Sequence, residues 1–503
     1  MTQNLDLTDI QGNIVKAYGS FGFFKARYLF LRVDNGDKGR DFVAKIASKV
    51  TSAERWNKDS APSVTTNMAF TYSGLQALEL PTASLVGFPA DFVMGMSKRK
   101  AILGDDGPSD PEHWDKIWQE TVHIWISING KTVEDIEGRY QWIMQQIDAS
   151  GGVALLKGHR GEDAFGNPSD DLPYQEASIL YEENGSPSSK EHFGYTDGIG
   201  DPVFEGQTNN EKRVIGRGKL TREGGWVPLA TGEFILGHVD EAMEYPQTAP
   251  RPDLLSNNGT YMVYRKLHEN VGTFNKFLDE QSKVFPGGKE LLAAKFSGRW
   301  RDNGAPLVHT PDEASKAEWD KKYAAADVST QKRMLTDFTY NEDIEGAKCP
   351  LSAHTRRINP RGSLEYGVKD AFNTPGALVN RRRILRRGLP YGKVKDQASD
   401  DGNHGIIFMA LNADIKRQFE FVQQQWINYA NDFKQGNDKE VLLGNHDAEQ
   451  PGKVVFEVEP GSGKPPHFVN NIPRLVETRG GDYFFVPSIT ALKMIAGGII
   501  DPT

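Results

Sequence analysis

The sequence contains a single cysteine and no long run of apolar residues. Cys349 alone cannot close an intrachain disulfide or build a thiolate metal cluster, so a disulfide scaffold and a zinc ribbon are both excluded. No stretch approaches the ~18 uninterrupted apolar residues of a membrane span, and the start MTQNLDLTDI lacks the basic and apolar segments of a signal peptide. We therefore expect a soluble protein with no signal peptide in this chain.

Positive charge is also in short supply. The chain has 59 Lys and Arg against 68 Asp and Glu, which gives a net charge of −9. This balance offers no electrostatic footprint for nucleic acid or an anionic membrane, so neither is an expected partner. The phosphate loop G-x-x-x-x-G-K-[ST], the zinc helix H-E-x-x-H and the nucleophile elbow G-x-S-x-G are absent as well. Nucleotide hydrolysis and serine hydrolysis therefore lose support.

What is present is the composition of a folded globular protein. Apolar residues make up 38% of the 503 residues and aromatic residues 10%. At ~150 residues per domain, the length allows two to four domains. Alternation of apolar and polar residues predicts strands, and apolar residues at helical spacing predict helices between them. The predicted strands lie at 12–33, 65–74, 121–128, 232–241, 259–267 and 405–412, and the predicted helices at 40–50, 132–150 and 270–284.

Strands interspersed with helices favour an α+β fold with antiparallel sheet. The same pattern occurs twice, which predicts two related halves, residues 1–215 and 216–503. The segment 311–348 is predicted to be surface helix followed by loop. A further helix is predicted after the strand at 405–412, because six apolar residues follow at helical spacing. They are Ile415, Phe419, Val422, Trp426, Ala430 and Phe433.

Three stretches could carry chemistry. In GYTDG, Asp197 lies between glycines, and the aromatic side chains of Phe193 and Tyr195 could raise its pKa by excluding water, as suits a proton shuttle. Alternatively, Asp197 and Asp201 only cap turns. The second stretch, AHTRRINPR, contains His354 with three arginines nearby, a set typical of iron ligation and of binding carboxylates such as haem propionates. A lone histidine is more often structural.

The third stretch is NRRRILRRGLPYG, residues 380–392, with five arginines around Ile384 and Leu385. It is either a solvated basic strand edge or a strand that directs one arginine into an internal cavity.

Together these stretches resemble the dye-decolorising peroxidases, and most closely the fungal-type branch of that haem peroxidase family. The similarity begins with LTDIQGNIV, passes through GYTDG, AHTRRINPR and ILRRGLPYG, and ends around GIIFMALNADIKRQFEFVQQQW, in the family's order. It implies two ferredoxin-like halves with antiparallel sheets and peripheral helices, and one haem b bound between them. It also implies an enzyme that reduces hydrogen peroxide and oxidises aromatic dyes and phenols by one-electron steps, with Mn(II) as a further candidate substrate. Extracellular action after processing is compatible with the fungal-type resemblance.

The resemblance also implies roles for individual residues. His354 corresponds to the proximal haem ligand, Asp197 to the distal acid and base, and Arg386, directly after Ile384-Leu385, to the distal arginine. Arg361 is expected to bind the cofactor. The remaining expectations concern the pocket lining, surface electron transfer and a carboxylate behind the ligand. They are Ile406 and Phe408 as lining, Trp426 and Tyr391 as electron-transfer sites, and Asp447 as the carboxylate.

Two other functions are compatible with the residues alone. A haem-binding or haem-handling protein needs only the ligand and a pocket, whereas Asp197 and Arg386 together favour the enzyme. A carboxylate-dependent hydrolase could use Asp197 with Asp201. The acidic run Glu342-Asp343-Glu345 beside Tyr340 could chelate Mn(II) through oxygen ligands or be a solvated loop.

Overall fold

The fold is seen in a computed structural model that describes residues 5–57, 60–163, 165–208, 211–364, 376–447, 449 and 451–498. Its strands form one large sheet and several two-stranded sheets. They are β1 (Lys25–Val33), β2 (Val64–Phe70), β3 (Ile124–Gly130), β4 (Val153–Leu155), β5 (His159–Glu162), β6 (Pro168–Leu172), β7 (Gln175–Ser178), β8 (Lys219–Leu220), β9 (Trp226–Val227), β10 (Thr260–Glu269), β11 (Leu385–Arg386), β12 (Leu389–Tyr391), β13 (Gly405–Asn412), β14 (Gly452–Phe456), β15 (His467–Ile472) and β16 (Val476–Val486).

The helices lie mainly against the faces and ends of the large sheet. They are α1 (Gly12–Val15), α2 (Gly36–Ala47), α3 (Tyr72–Ala77), α4 (Thr82–Leu85), α5 (Ala90–Met94), α6 (Lys100–Leu103), α7 (Val133–Ser150), α8 (Asp253–Ser256), α9 (Val271–Ser282), α10 (Gly288–Ser297), α11 (Glu313–Ala325), α12 (Val328–Thr336), α13 (His354–Ile358), α14 (Ala377–Asn380) and α15 (Ile489–Gly497). Two π-helical segments, Lys416–Glu420 and Val422–Ile427, follow β13.

The large sheet has ten strands in the order β11-β13-β10-β16-β2-β3-β1-β4, with β12 and β7 paired to its side. All of its strand pairs in the described chain are antiparallel. Strands from before residue 215 form one end and strands from after it form the other. The two ends are joined where Phe70 of β2 pairs with Phe485 of β16. The α+β class with antiparallel sheet is therefore confirmed, while the boundary at 215/216 stays a prediction.

Several predicted elements are confirmed within a few residues, and two are wrong. Thr132 accepts a hydrogen bond from the Asp135 N–H and begins α7 as predicted. Residues 12–33 were predicted as one strand, but α1 and a 3-10 turn precede β1. The predicted strand at 232–241 is a 3-10 turn and loop, where Glu233 binds the Arg417 guanidinium instead of extending a sheet.

Strand register decides which side chains face the candidate site. Arg386 pairs with Ala410, and Arg265 of β10 pairs with Phe408. Since side chains alternate between the two faces of a strand, Arg386, Phe408 and Ile406 share one face of the sheet. That face lies beneath the π-helical segments, where Phe408 packs against Phe419 with ring centroids 6.0 Å apart.

The described helices offer no membrane crossing, since none combines enough length with enough apolar character.

Candidate active site

The loop that carries Asp197 meets strand β11 at an ion pair. Arg386 Nη1 donates to Asp197 Oδ1 at 2.5 Å, which joins the two residues implied as the distal pair. Asp197 follows a short hairpin in which its N–H donates to the Ser189 carbonyl. Gly198 has a φ of 75°, a conformation that glycine adopts without strain, and its N–H donates to the Asp197 carboxylate. The carboxylate therefore has a fixed position and a cationic neighbour.

The choice of Arg386 over Arg387 agrees with the geometry. Arg387 points away from Asp197: its Nη1 pairs with Asp201 at 3.0 Å, and its Nη2 donates to the Ile14 carbonyl of α1. Asp201 also accepts the Arg386 N–H at 3.1 Å, so it holds the strand that presents Arg386. Because Asp201 is engaged in this way, it does not form a catalytic carboxylate pair with Asp197, and the hydrolase reading loses its second carboxylate.

The pKa of Asp197 is shifted in the direction opposite to the one that its aromatic neighbours suggest. Burial alone would raise it, but the charge and hydrogen bond of Arg386 and the Gly198 N–H together hold it below its usual value. The expectation of a raised pKa is therefore wrong, because a cation lies in contact with the carboxylate. Asp197 is ionised at neutral pH and can accept a proton.

His354 begins α13 and faces a second carboxylate. Its Nδ1 lies 3.5 Å from Oε2 of Glu440, which is fully buried. The N–H groups of Leu442 and Leu443 donate to the same carboxylate at 2.9 and 2.6 Å. Burial would raise the pKa of Glu440, yet His354 and these donors lower it. Glu440 is thus a fixed negative charge behind the ring, and Nε2 of His354 is left for a metal.

Glu440 therefore occupies the position that we predicted for Asp447. The Asp447 carboxylate lies 3.9 Å from Lys439 Nζ, and its side chain is 40% exposed. The prediction failed because Glu440 lies in no motif near His354, and only the three-dimensional fold brings the two together. A buried acid in the segment KEVLLGN was the one available signal.

The polar side chains of the two halves of the site are only partly buried. The side chains of Asp197, Arg386 and His354 are 48%, 29% and 23% exposed. His354 also contributes electrostatically to the lowered pKa of Asp197. The imidazole and the ion pair are therefore both accessible to a ligand.

Two arginines, Arg383 buried and Arg361 partly buried, lie near Gly200 without an ion-pair partner among the described residues. Arg361 Nη1 donates to the backbone carbonyls of Gly216, Thr336 and Phe338. Desolvation lowers the pKa of Arg361 to about 10 and that of Arg383 to about 9. Guanidinium groups that are shielded from solvent and lack a carboxylate partner favour an anionic ligand, so this cleft suits carboxylates such as haem propionates.

The expected pocket lining lies on the site face of β13. Ile406 and Phe408 are partly buried, in contrast to Ile407 and Met409, which point into the core behind the sheet. This alternation gives the space beside Arg386 an apolar wall.

Neither aromatic residue implied as a surface electron-transfer site reaches the surface. Trp426 is 0% exposed and Tyr391 is 1% exposed. Trp426 packs edge-on against Phe433, and its Nε1 donates to Asp432 at 3.0 Å. The helical stripe that contains Trp426 buries its ring, so the surface assignment of both residues is corrected.

The acidic run is folded into the protein and does not form an open chelate. Asp343 is buried, accepts the N–H groups of Lys348 and Cys349, and pairs with Arg356 at 3.0 Å. Glu345 is exposed and lies 3.7 Å from Lys434. In the described part of the chain, no three acidic, histidine or cysteine side chains form a group that could hold a metal ion. The loop reading of this run is therefore favoured.

The fold and these two groups define a class of protein, α+β with a candidate haem site that comprises a histidine and an Asp–Arg pair. Two family models match the chain: "DyP dimeric alpha+beta barrel domain" over residues 9–159, and "Dyp-type peroxidase, C-terminal" over residues 242–439. Together they cover more than half of the chain. The chain belongs to the dye-decolorising (DyP-type) peroxidase family.

Similar proteins support this membership along the whole length. The dye-decolorizing peroxidase of Mycena epipterygia is 28% identical, with 98% of this chain and 87% of that protein covered. Dye-decolorizing peroxidase msp1 of Mycetinis scorodonius is 27% identical over 98% and 88%. The crystal structure of a fungal DyP-type peroxidase from Auricularia auricula-judae shares the fold with a TM-score of 0.73, 24% identity and coverage of 98% and 100%. These relatives place the chain in the fungal-type branch.

Proposed function

We propose that this protein is a haem peroxidase that reduces hydrogen peroxide and oxidises aromatic dyes and phenols by one-electron steps. The observation that carries the proposal is that one fold holds both the Asp197–Arg386 ion pair and the His354 imidazole beside the Glu440 carboxylate. Relatives named dye-decolorizing peroxidases, and a related structure described as a complex with 2,6-dimethoxyphenol, support the substrate class.

The residues fit a haem group, which we propose to be haem b, one per chain. His354 has its Nδ1 beside Glu440, and its Nε2, which bonds to no residue in the described part of the chain, is available to iron. Arg383, which is buried, and Arg361, which is partly buried, offer positive charge for the propionates, and Ile406 and Phe408 offer an apolar wall. When bound, the haem supplies the iron that binds peroxide and the electrons that reduce it.

Each residue then has a defined task. Asp197 Oδ takes the first proton of hydrogen peroxide and returns a proton to the distal oxygen as the O–O bond breaks. The Arg386 guanidinium, which stays charged at any working pH, stabilises the negative charge that builds on the departing oxygen. A lowered pKa of Asp197 keeps the base ionised in acidic solution, which supports an acidic pH optimum.

On the other side, the negative charge of Glu440, 3.5 Å from His354 Nδ1, makes the imidazole a stronger electron donor. It also fixes the tautomer, because the Leu442 and Leu443 N–H groups hold the carboxylate in place.

The alternative of a haem-binding or haem-handling protein has less support. A carrier needs His354 and an apolar cleft, but it has no use for Asp197 held against Arg386. Oxidation of Mn(II) also has less support, because Asp343 is committed to Arg356 and to backbone donors. Action outside the cell rests on the fungal-type similarity alone.

Reconstitution with haem tests the function directly. We expect a haem absorbance spectrum that changes on addition of peroxide and returns when a phenol is added. Asp197→Asn should bind haem and react slowly, whereas Asp41→Asn, an exposed change of the same kind on α2, should behave like the parent. A protein that binds haem but shows no peroxide reaction would instead be a carrier.

A further inference from the structure

A buried glutamate shapes the loop that presents Asp197. The N–H groups of Phe193 and Tyr195 donate to the two carboxylate oxygens of Glu191, each at 2.7 Å. The Tyr195 hydroxyl donates to the Ala293 carbonyl of α10 at 2.8 Å. Asp197 lies two residues beyond Tyr195. The position of the proposed base therefore depends on where the Glu191 carboxylate is held.

A second buried carboxylate holds Glu191. Glu269 ends β10, is 3% exposed and shares a side-chain hydrogen bond with Glu191. The His192 N–H donates to Glu269 as well. No cationic side chain lies within ion-pair distance of either carboxylate in the described part of the chain. Two ionised carboxylates in contact without a cation repel each other strongly, so one of them must carry a proton.

The donors around the pair show where that proton lies. Glu191 accepts two backbone N–H groups, which stabilise its negative charge, whereas Glu269 accepts one. Oε2 of Glu269 has no hydrogen-bond partner among the described residues, unless it carries a proton and donates. We propose that Glu269 is a neutral carboxylic acid that donates its proton to ionised Glu191, and that this pair positions the Asp197 loop against strand β10.

The surroundings agree with a neutral Glu269. Burial first, and then the Glu191 charge, raise the pKa of Glu269 well above its ordinary value, and burial raises that of Glu191. The groups that face the pair come from its own loop, β10, β12, the segment before β13 and the segment after α10. They are Asp197, Tyr195, His192, His268, Tyr391, His404 and Arg301.

Among these groups, only Arg301 is cationic in neutral solution. It donates to the Phe193 carbonyl and pairs with Glu290, so it does not neutralise Glu269. Burial lowers the pKa of His192 and of His268 to about 4, which leaves both rings uncharged. The pair thus keeps its proton until the pH exceeds the raised pKa of Glu269. Above that pH, repulsion between the carboxylates should displace the loop.

Infrared spectroscopy of the haem-loaded protein at pH 8 tests where the proton is, and it needs no turnover. We expect a C=O stretch of a protonated carboxyl group, above the amide I band, that disappears in Glu269→Gln. Asp482→Asn is the matched control: burial raises the pKa of Asp482 to about 6, so its acid form is gone at pH 8 and the band should persist. Absence of the band from the parent, or its presence in Glu269→Gln, would overturn the proposal.

Stopped-flow kinetics with peroxide tests the positioning role, which rests on the proposed peroxidase function. Glu269→Leu removes the donor and should slow the reaction by about 10²-fold, the cost of misplacing a catalytic group by about 1 Å. Glu269→Gln restores a donor that cannot ionise. It should recover most of the rate and should also keep it at alkaline pH, where the parent loses it. Glu280→Gln, an exposed change on α9, should retain the parent's profile.

The outcomes separate the two proposals. If the haem-loaded parent does not react with peroxide, the proposed function is wrong. The infrared band would still show whether Glu269 carries a proton. If the parent reacts and Glu269→Gln loses rate at the same alkaline pH as the parent, Glu269 does not position the loop through its proton.

Discussion

Two buried glutamates, one behind each side of the site, are held in nearly the same way, yet their pKa values are shifted in opposite directions. Glu440 accepts the Leu442 and Leu443 N–H groups, and Glu191 accepts the N–H groups of Phe193 and Tyr195. Burial opposes ionisation of both. The pKa of Glu440 is nevertheless lowered, while that of Glu191 is raised.

The difference lies in the third partner of each carboxylate. Glu440 faces the imidazole of His354, which can carry positive charge, whereas Glu191 faces a second carboxyl group, Glu269. Two backbone N–H groups do not by themselves decide the direction in which the pKa of a buried carboxylate shifts; the neighbouring side chain does. The proximal side is consequently built to hold a fixed negative charge, and the distal side to hold a proton next to the base.

The largest expected effect comes from removing the third partner on the proximal side. His354→Ala deletes the proposed iron ligand, so the protein should lose haem or bind it far more weakly. Haem content after reconstitution, measured by absorbance, checks this. A variant with the parent's haem content and spectrum would place the ligand elsewhere, with His309 and His404 as the next candidates.

On the distal side, Asp197→Asn keeps the size of the side chain but removes the base. The reaction with peroxide should slow by about 10²- to 10⁴-fold, the usual contribution of general acid–base catalysis. Haem should stay bound, because the proximal side is untouched. If stopped-flow kinetics showed that Asp197→Asn reacts with peroxide at the parent's rate, Asp197 would not be the base and Arg386 alone would have to promote the reaction.

Replacing the negatively charged Glu440 on the proximal side by a neutral amide should slow the reaction less than Asp197→Asn does. Glu440→Gln keeps the contact with His354 Nδ1 but removes the negative charge, so peroxide reactivity or haem affinity should fall by about 10- to 100-fold, as for other outer-shell partners of metal ligands. The reduction potential of the haem should rise, since the imidazole donates less electron density. An unchanged potential would show that the charge of Glu440 does not reach the iron.

The sequence predicts the distal side better than the proximal side, and the reason is physical. Asp197 and Arg386 lie in short stretches that carry the family resemblance, so their pairing can be expected before any fold is known. Glu440 and Glu269 reach their partners only through tertiary packing, which no local pattern encodes. The same holds for the fold: regular strands such as β13 are predicted to the residue, whereas the loop at 232–241 is determined by the distant Arg417.

A smaller effect should separate the two roles of Arg386, charge stabilisation and control of the base. Arg386→Leu removes the cation that holds the pKa of Asp197 low, so that pKa should rise. Asp197 accepts a proton only when ionised, and therefore the acidic limb of the rate profile should move to higher pH. An acidic limb that stays in place, even with a lower rate, would mean that Arg386 acts on the departing oxygen alone.

The smallest effect is expected from a substitution of Trp426. This residue belongs to neither the proximal nor the distal side of the site, so it serves as a control for the comparison between them. Trp426→Phe keeps most of the ring volume but removes the Nε1 hydrogen bond to Asp432, which costs about 1 kcal/mol of stability. Because the ring is fully buried, the melting temperature should fall slightly, while turnover of bulky dyes and of small phenols should fall in equal proportion. Parallel steady-state assays on one dye and one phenol measure this ratio. A selective loss of dye turnover would instead make Trp426 an interior relay for electrons that arrive from the surface. Tyr429 would then be the next residue outward: it is partly exposed, and its carbonyl and that of Trp426 both accept hydrogen bonds from Arg357.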